Sequence, residues 1–276
     1  FMAALLSNEF RNTDKIGVFV SECHRMDIEI LPPDLNRSQL RFAPEQLSSG
    51  KMAIRYGLAA IKNVGEGAMA QAIAERELNG RFSTMDDFTN RQDSKVVNKR
   101  ILENLVLSGA MDWTGETRAG MHARVEEVTA AASAAQRDRE SGQVALFADE
   151  ELAAPAARKQ IPEWPKDERL EKEKELLGYY VTGHPLDKYR SLLDSDRFCK
   201  LGLLDDLDIG DRRARFPFAG MIRKIDQRLT RKGKPFGILV IEDFTGSQEV
   251  LCWGESYTPA RDAGIPGVDV HRGDTF

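Results

Sequence analysis

Between Glu140 and Pro165 the chain loses its hydrophobic period and runs largely through Ala, Pro, Glu and Asp, and this break most limits the folds open to it. Before it, apolar residues recur mainly at helical spacing; well after it, from Phe216 on, the pattern reads as strands. A flexible surface segment with separate bodies on either side follows, and 276 residues is a length for about two domains rather than one large core.

At the start of that segment lies Gln143-Val144-Ala145-Leu146-Phe147, with polar and charged residues on both sides. The five residues by themselves allow two readings: a docking peptide, or an anchor packing back on the preceding helix. In the first, Leu146 and Phe147 enter a partner's apolar groove while the Gln143 amide hydrogen-bonds at its rim. Flexibility of the surrounding segment favours the docking peptide, since a linear motif must leave its own chain to enter another.

Charge excludes a uniformly basic nucleic-acid binder, because the formal net charge is −5 with 30% of residues charged. Binding of that kind must come from local patches, and one exists: Arg223, Lys224, Arg228, Arg231, Lys232 and Lys234 face a single acid, Asp226, within one short stretch. Cys23, Cys199 and Cys252 lack disulfide-framework or zinc-site spacing, which fits a reducing cytoplasm. No apolar run reaches the ~20 residues that span a bilayer, and Phe1–Leu6 lacks the features of a signal peptide. A start at Phe1 reads as a chain cut from something longer.

The spacing predicts helices over residues 2–10 and Lys15–Cys23, then a strand at Ile28–Leu31 stopped by Pro32 and Pro33. Two further short strands, Ser38–Phe42 and Lys51–Tyr56, are expected to join through Ser48-Ser49-Gly50. Helices follow at Val96–Leu107 and Thr117–Arg139, and a charged one at Lys166–Val181 is expected to bury Leu170, Leu176, Leu177 and Tyr180 and to stop at Gly183. His184, beside Pro185, reads as a turn residue.

Gly57 to Ala68 has the pattern of a helix-hairpin-helix. Leu58 and Ile61 belong to a short first helix, Gly65 and Gly67 form the turn, and Ala68–Leu78 is the second helix. Unpaired amides of a helix start beside side-chain-free glycines suit a DNA phosphate, with Lys62 as a nearby cation, so Lys62, Asn63, Val64, Gly65, Glu66, Gly67 and Ala68 are the candidate contacts. The alternative is an ordinary glycine-capped turn.

Strands over Phe216–Leu229, Phe236–Phe244 and Gln248–Trp253, with a basic first turn and a Glu-Asp-Phe-Thr-Gly ending, have the layout of an OB-fold. Lys232 and Lys234 would follow phosphates and Arg231 and Phe236 would stack on bases, the alternative being a solvated hairpin tip. Only a fourth strand, Val268–Phe276, is found of the five required. Two-metal chemistry needs paired carboxylates; Asp86-Asp87 reads as a helix start, and Asp205, Asp206 and Asp208 lie in a connection without a rigid strand. No nucleophile triad or P-loop is present, so no catalytic residue and no metal ligand is assigned.

Four ordered stretches, Ile28–Asn36, Gly57–Gly67, Glu173–Leu186 and Lys234–Gly246, together resemble the C-terminal half of bacterial DNA polymerase III alpha subunits (the DnaE family). The resemblance implies a multidomain α+β chain. Residues 1–50 would be the end of the fingers, a helix plus β-hairpin, and 51–140 a helical helix-hairpin-helix domain that binds DNA and belongs to the clamp-binding region. Residues 141–165 would be the linker carrying the clamp motif, 166–211 a helical connector, and 212–276 an OB-fold β-barrel, incomplete in the strands found. Its implied partners are duplex DNA, single-stranded DNA, the beta sliding clamp through Gln143–Phe147, and other holoenzyme subunits through regions mostly absent here. The palm aspartates, with their Mg2+, lie upstream, so the fragment itself carries no cofactor and no active site. Gly254–Gly267 departs from the family pattern. A free-standing clamp adaptor, an error-prone paralogue, or a nuclease using Asp205–Asp208 are the alternatives.

Overall fold

The computed structural model describes residues 1–141, 161–206 and 216–253. They fall into two compact units, Phe1–Gly183 and His184–Phe276.

The first unit begins with α1 (Met2–Asn8) and α2 (Thr13–Arg25), whose start is capped by the Asn12 side chain accepting from the Lys15 amide. A mixed sheet follows, from β1 (Glu29–Leu31), β2 (Ala43–Gln46) and β3 (Met52–Arg55), in the order β1-β3-β2. β1 runs parallel to β3 with Ile30 opposite Ile54, and β2 runs antiparallel to it with Pro44 opposite Ile54. The hairpin turn lies where expected, but its first strand is at 43–46 rather than at Ser38–Phe42. Side chains have claimed the backbone there: Ser38 Oγ accepts from the Asp34 amide, and the buried Arg76 guanidinium donates to the Leu35 and Ser38 carbonyls. Pro44 is tolerated because β2 is an edge strand.

Helices α3 (Glu66–Asn79), α4 (Met85–Asn90), α5 (Lys99–Leu107), α6 (Arg118–Glu140) and α7 (Lys166–Leu177) complete this unit. α5 starts later than the expected Val96 because the Asn98 side chain caps it by accepting from the Ile101 amide. One apolar core runs from Met2 to Tyr179 and takes residues from both sides of position 50, Phe42 and Ile54 among them. Asp86 and Asp87 stand in the first turn of α4, Asp86 accepting twice from Arg124 and Asp87 from Ser83, so both carboxylates serve the fold.

α7 stops at Gly178, five residues before the expected Gly183. Gly178 adopts φ +84°, and a Cβ there would stand 2.2 Å from the Thr13 carbonyl oxygen. The chain turns, Tyr179 takes the buried place expected of Tyr180, and the Tyr180 hydroxyl donates to Glu171 instead. The helix also buries an acid. Glu173 is 0% exposed and pairs at 2.6 Å with Arg118, itself 3% exposed, while Thr182 donates to it from both amide and hydroxyl. Burial opposes the charge on Arg118, but Asp112 and Glu173 outweigh it and hold the guanidinium above its ordinary pKa.

Glu163 accepts from the amides of Arg118, Ala119 and Trp164, and Thr117 donates to the Ile161 carbonyl. Residue 161 therefore sits at the N-terminus of α6 and residue 141 at its C-terminus. With 23 residues in α6, residues 141 and 161 stand roughly 34 Å apart.

In the second unit His184 Nδ1 accepts from the Leu186 amide and Asp187 accepts from the His184 amide, a capping box for the 3-10 turn Pro185–Tyr189. After α8 (Arg190–Leu193) comes an antiparallel meander of β4 (Met221–Leu229), β5 (Pro235–Glu242) and β6 (Ser247–Trp253), with a bulge between Ile222 and Lys224. Leu201, Ile222, Leu239, Ile241 and Cys252 form its core. Asp243 in the Glu-Asp-Phe-Thr-Gly ending closes the turn, accepting from the Thr245 amide and hydroxyl, the Gly246 amide and the Leu201 amide. No closed barrel forms among the described residues, and the expected strand Val268–Phe276 lies outside them. No helix among the described residues is long and apolar enough to cross a membrane.

Removing one member of a buried ion pair leaves the other charge stranded. Glu173→Ala is expected to destabilise the first unit by roughly 3 kcal/mol, the low end for such pairs because Asp112 still faces Arg118. Urea unfolding of wild type and variant measures it; a loss below about 1 kcal/mol contradicts the pair's role.

Candidate nucleic-acid interface

Apolar side chains fix the hairpin from beneath. Leu58, Ile61, Val64 and Ala68 are buried, whereas Lys62, Asn63, Gly65 and Gly67 are exposed. The first element is a 3-10 turn, Leu58–Ala60, and α3 starts at Glu66, two residues before the expected Ala68. Asn63 and Gly65 take positive φ, +62° and +83°. Gly67, expected in the turn, lies in the first turn of α3 instead, with open space where a Cβ would be.

Gly65 offers no capping side chain, so the amides of Glu66, Gly67 and Ala68 stand at the helix start without an intrahelical acceptor. The partial positive charge of the helix end adds to them. From behind, the Lys62 amide donates to the Leu176 carbonyl of α7 at 3.0 Å. Two cations that sequence reasoning missed stand at this helix start: Arg41 pairs with Glu66 at 2.6 Å and Arg11 pairs with it at 3.3 Å. Arg41 also lies 3.6 Å from the centre of the Phe10 ring. Both come from distant sequence, so no local pattern reveals them.

The second unit holds the basic turn. The Thr230 amide donates to the Lys234 carbonyl and the Gly233 amide to the Thr230 carbonyl, and Arg231, Lys232 and Lys234 are exposed around the turn. Phe236 is half-buried, and one of its faces is covered by Trp253. Gln143, Val144, Ala145, Leu146 and Phe147 lie outside the described residues, as does Asp208. No group of three or more metal-ligating side chains occurs among the described residues.

A helix-hairpin-helix motif family matches residues 27–121, which contain the whole hairpin. DNA polymerase III subunit alpha of Vibrio cholerae is 36% identical over 261 residues, 93% of this chain and 22% of its own length. The chain belongs to the DNA polymerase III alpha family. The subunits of Borreliella burgdorferi and Caulobacter vibrioides are 35% and 34% identical over 97% and 98% of the chain. In each case the chain spans less than a quarter of the relative, 23% of its length. Within this stretch of the DNA polymerase III alpha family, the hairpin lies inside the motif match and leads into a helix whose first amides have no side-chain cap.

Ala at position 65 must hold a left-handed backbone, so Gly65→Ala is expected to cost about 1–2 kcal/mol. Ala at 67 meets nothing in a helix, so Gly67→Ala is expected to gain up to about 1 kcal/mol. Chemical denaturation of the two variants checks the pair; equal effects would contradict the assignment of Gly67 to α3.

Proposed function

We propose that this chain is a non-catalytic DNA-binding and clamp-binding portion of a replicative DNA polymerase, one that supports processive DNA-directed synthesis carried out elsewhere in the protein. The observation that carries the proposal is the start of α3, where the first backbone amides have no side-chain cap and Gly65 and Gly67 are exposed, inside a matched helix-hairpin-helix motif. Amides there bind phosphates of any sequence, which is what an enzyme copying every sequence needs. Lys62 contributes a cation at the same edge. The Mg2+ of polymerisation belongs to palm carboxylates outside this chain.

The second unit is read as the first strands of an OB-fold. Its support is the meander with a basic first turn, where Arg231, Lys232 and Lys234 track a single-stranded template and Phe236 belongs to the base-binding face. Gln143–Phe147 is the motif for the beta sliding clamp. Tethering is the mechanism: each contact is weak, and linking them raises the effective concentration of the second to about the millimolar range.

Gly67→Ala, although stabilising, is expected to weaken duplex binding several-fold without changing sequence preference, because a methyl group keeps phosphate from the amides. Unchanged affinity in a fluorescence-anisotropy titration would count against phosphate binding at the hairpin. Replacing Gln143, Leu146 and Phe147 together by Ala should abolish binding to the beta clamp and leave DNA binding intact. Full clamp affinity in that variant would remove the tether from the reading.

A further inference from the structure

Trp253 has no core to fill. Antiparallel register sets Phe236 opposite both Arg228 on β4 and Trp253 on β6, so the three side chains form one row across one face of the sheet. Leu239, Ile241 and Cys252 point to the other face and form the core with Leu201 and Ile222. Trp253 nevertheless keeps 53% of its surface in solvent, and Leu251 two residues before it is as exposed. Its ring is also held. Phe236 stacks on it with centroids 4.5 Å apart and planes 17° from parallel. β6 is an edge strand among the described residues.

We propose that Trp253 is a base-stacking residue for single-stranded nucleic acid, supported from behind by Phe236 and continued by Arg228 across the row. The inference rests on the reading of the basic turn as a single-strand site and changes which residue does the stacking. Phe236, the aromatic that sequence reasoning picks, has one face already covered, so its part is to fix the Trp253 ring. Charge chooses the occupant. Arg231, Lys232 and Lys234 lie in the turn directly before Phe236, all exposed, and Arg228 stands at the end of the row. An apolar protein partner has no use for these cations, and an acidic peptide has none for a held, flat indole. A nucleic-acid strand uses both, and it must be single because duplex bases keep their faces stacked on one another.

The test is titration of the whole chain with oligothymidylate, following tryptophan emission and anisotropy of a labelled strand. Trp113 and Trp164, in the first unit, supply a constant background. Binding is expected to quench part of the emission, and Trp253→Phe is expected to abolish the quench while retaining most of the affinity. Trp253→Leu keeps an apolar side chain but has no π-face, so it is expected to bind roughly 5- to 150-fold more weakly. Its salt dependence should stay that of wild type, because no charge is lost. Quenching that persists in Trp253→Phe, or wild-type affinity in Trp253→Leu, overturns the proposal. In that case weaker binding by Lys232→Ala/Lys234→Ala would leave the basic turn standing as a phosphate site. No binding by the wild-type chain would overturn both.

Discussion

A carboxylate with no access to water sits at the centre of the first unit. A buried carboxylate needs partners, and Arg118 at the start of α6 pairs with Glu173 while the Thr182 amide and hydroxyl donate to it. That pairing draws the chain after the polar break back onto the helices before it. Once α7 is in place its last carbonyls become acceptors: Leu176 receives the Lys62 amide, and Leu177 receives the buried Tyr56 hydroxyl. The hairpin is therefore held from behind by a helix more than a hundred residues further along the chain. A backbone contact to phosphate depends on such rigidity, since amides aimed loosely would lose their advantage over water.

The electrostatics suit reversible contact with DNA. Net charge is −5, so the whole surface does not attract a polyanion, and attraction must be local. At the hairpin the local charge is partly neutralised, because Glu66 engages both Arg11 and Arg41. What remains is a helix end, a lysine and amides without side chains in the way. On the proposed reading, that composition would give weak, sequence-independent binding, and linkage to further sites would matter for any overall hold on DNA.

Elements with local causes could be read from the sequence. Val64 and Gly65 set the hairpin within a dozen residues, and Thr117 and the Asp86-Asp87 pair mark helix starts through their own chemistry, whereas apolar spacing places the start of α5 at Val96 and overlooks the Asn98 cap. Where a distant partner decides, the local pattern points elsewhere. The strand expected at Ser38–Phe42 was displaced because Arg76, on α3, captures the carbonyls of Leu35 and Ser38. Gly183 is the expected stop of α7, but the helix ends at Gly178, where the chain packs against Thr13. Arg11 and Arg41 carry no local signal of their place beside Glu66. In the second unit the strands were legible from alternation, but the burial of one face of Phe236 follows from register with Trp253, which a turn-centred reading overlooks.

Amide hydrogen exchange at Glu66, Gly67 and Ala68 tests the central claim most directly. Measured with and without duplex DNA of two unrelated sequences, these amides should be protected to the same extent by both, with little change on the buried side of α3. Exchange unaffected by either duplex, or protection by only one of them, would contradict a hairpin that grips the phosphate backbone.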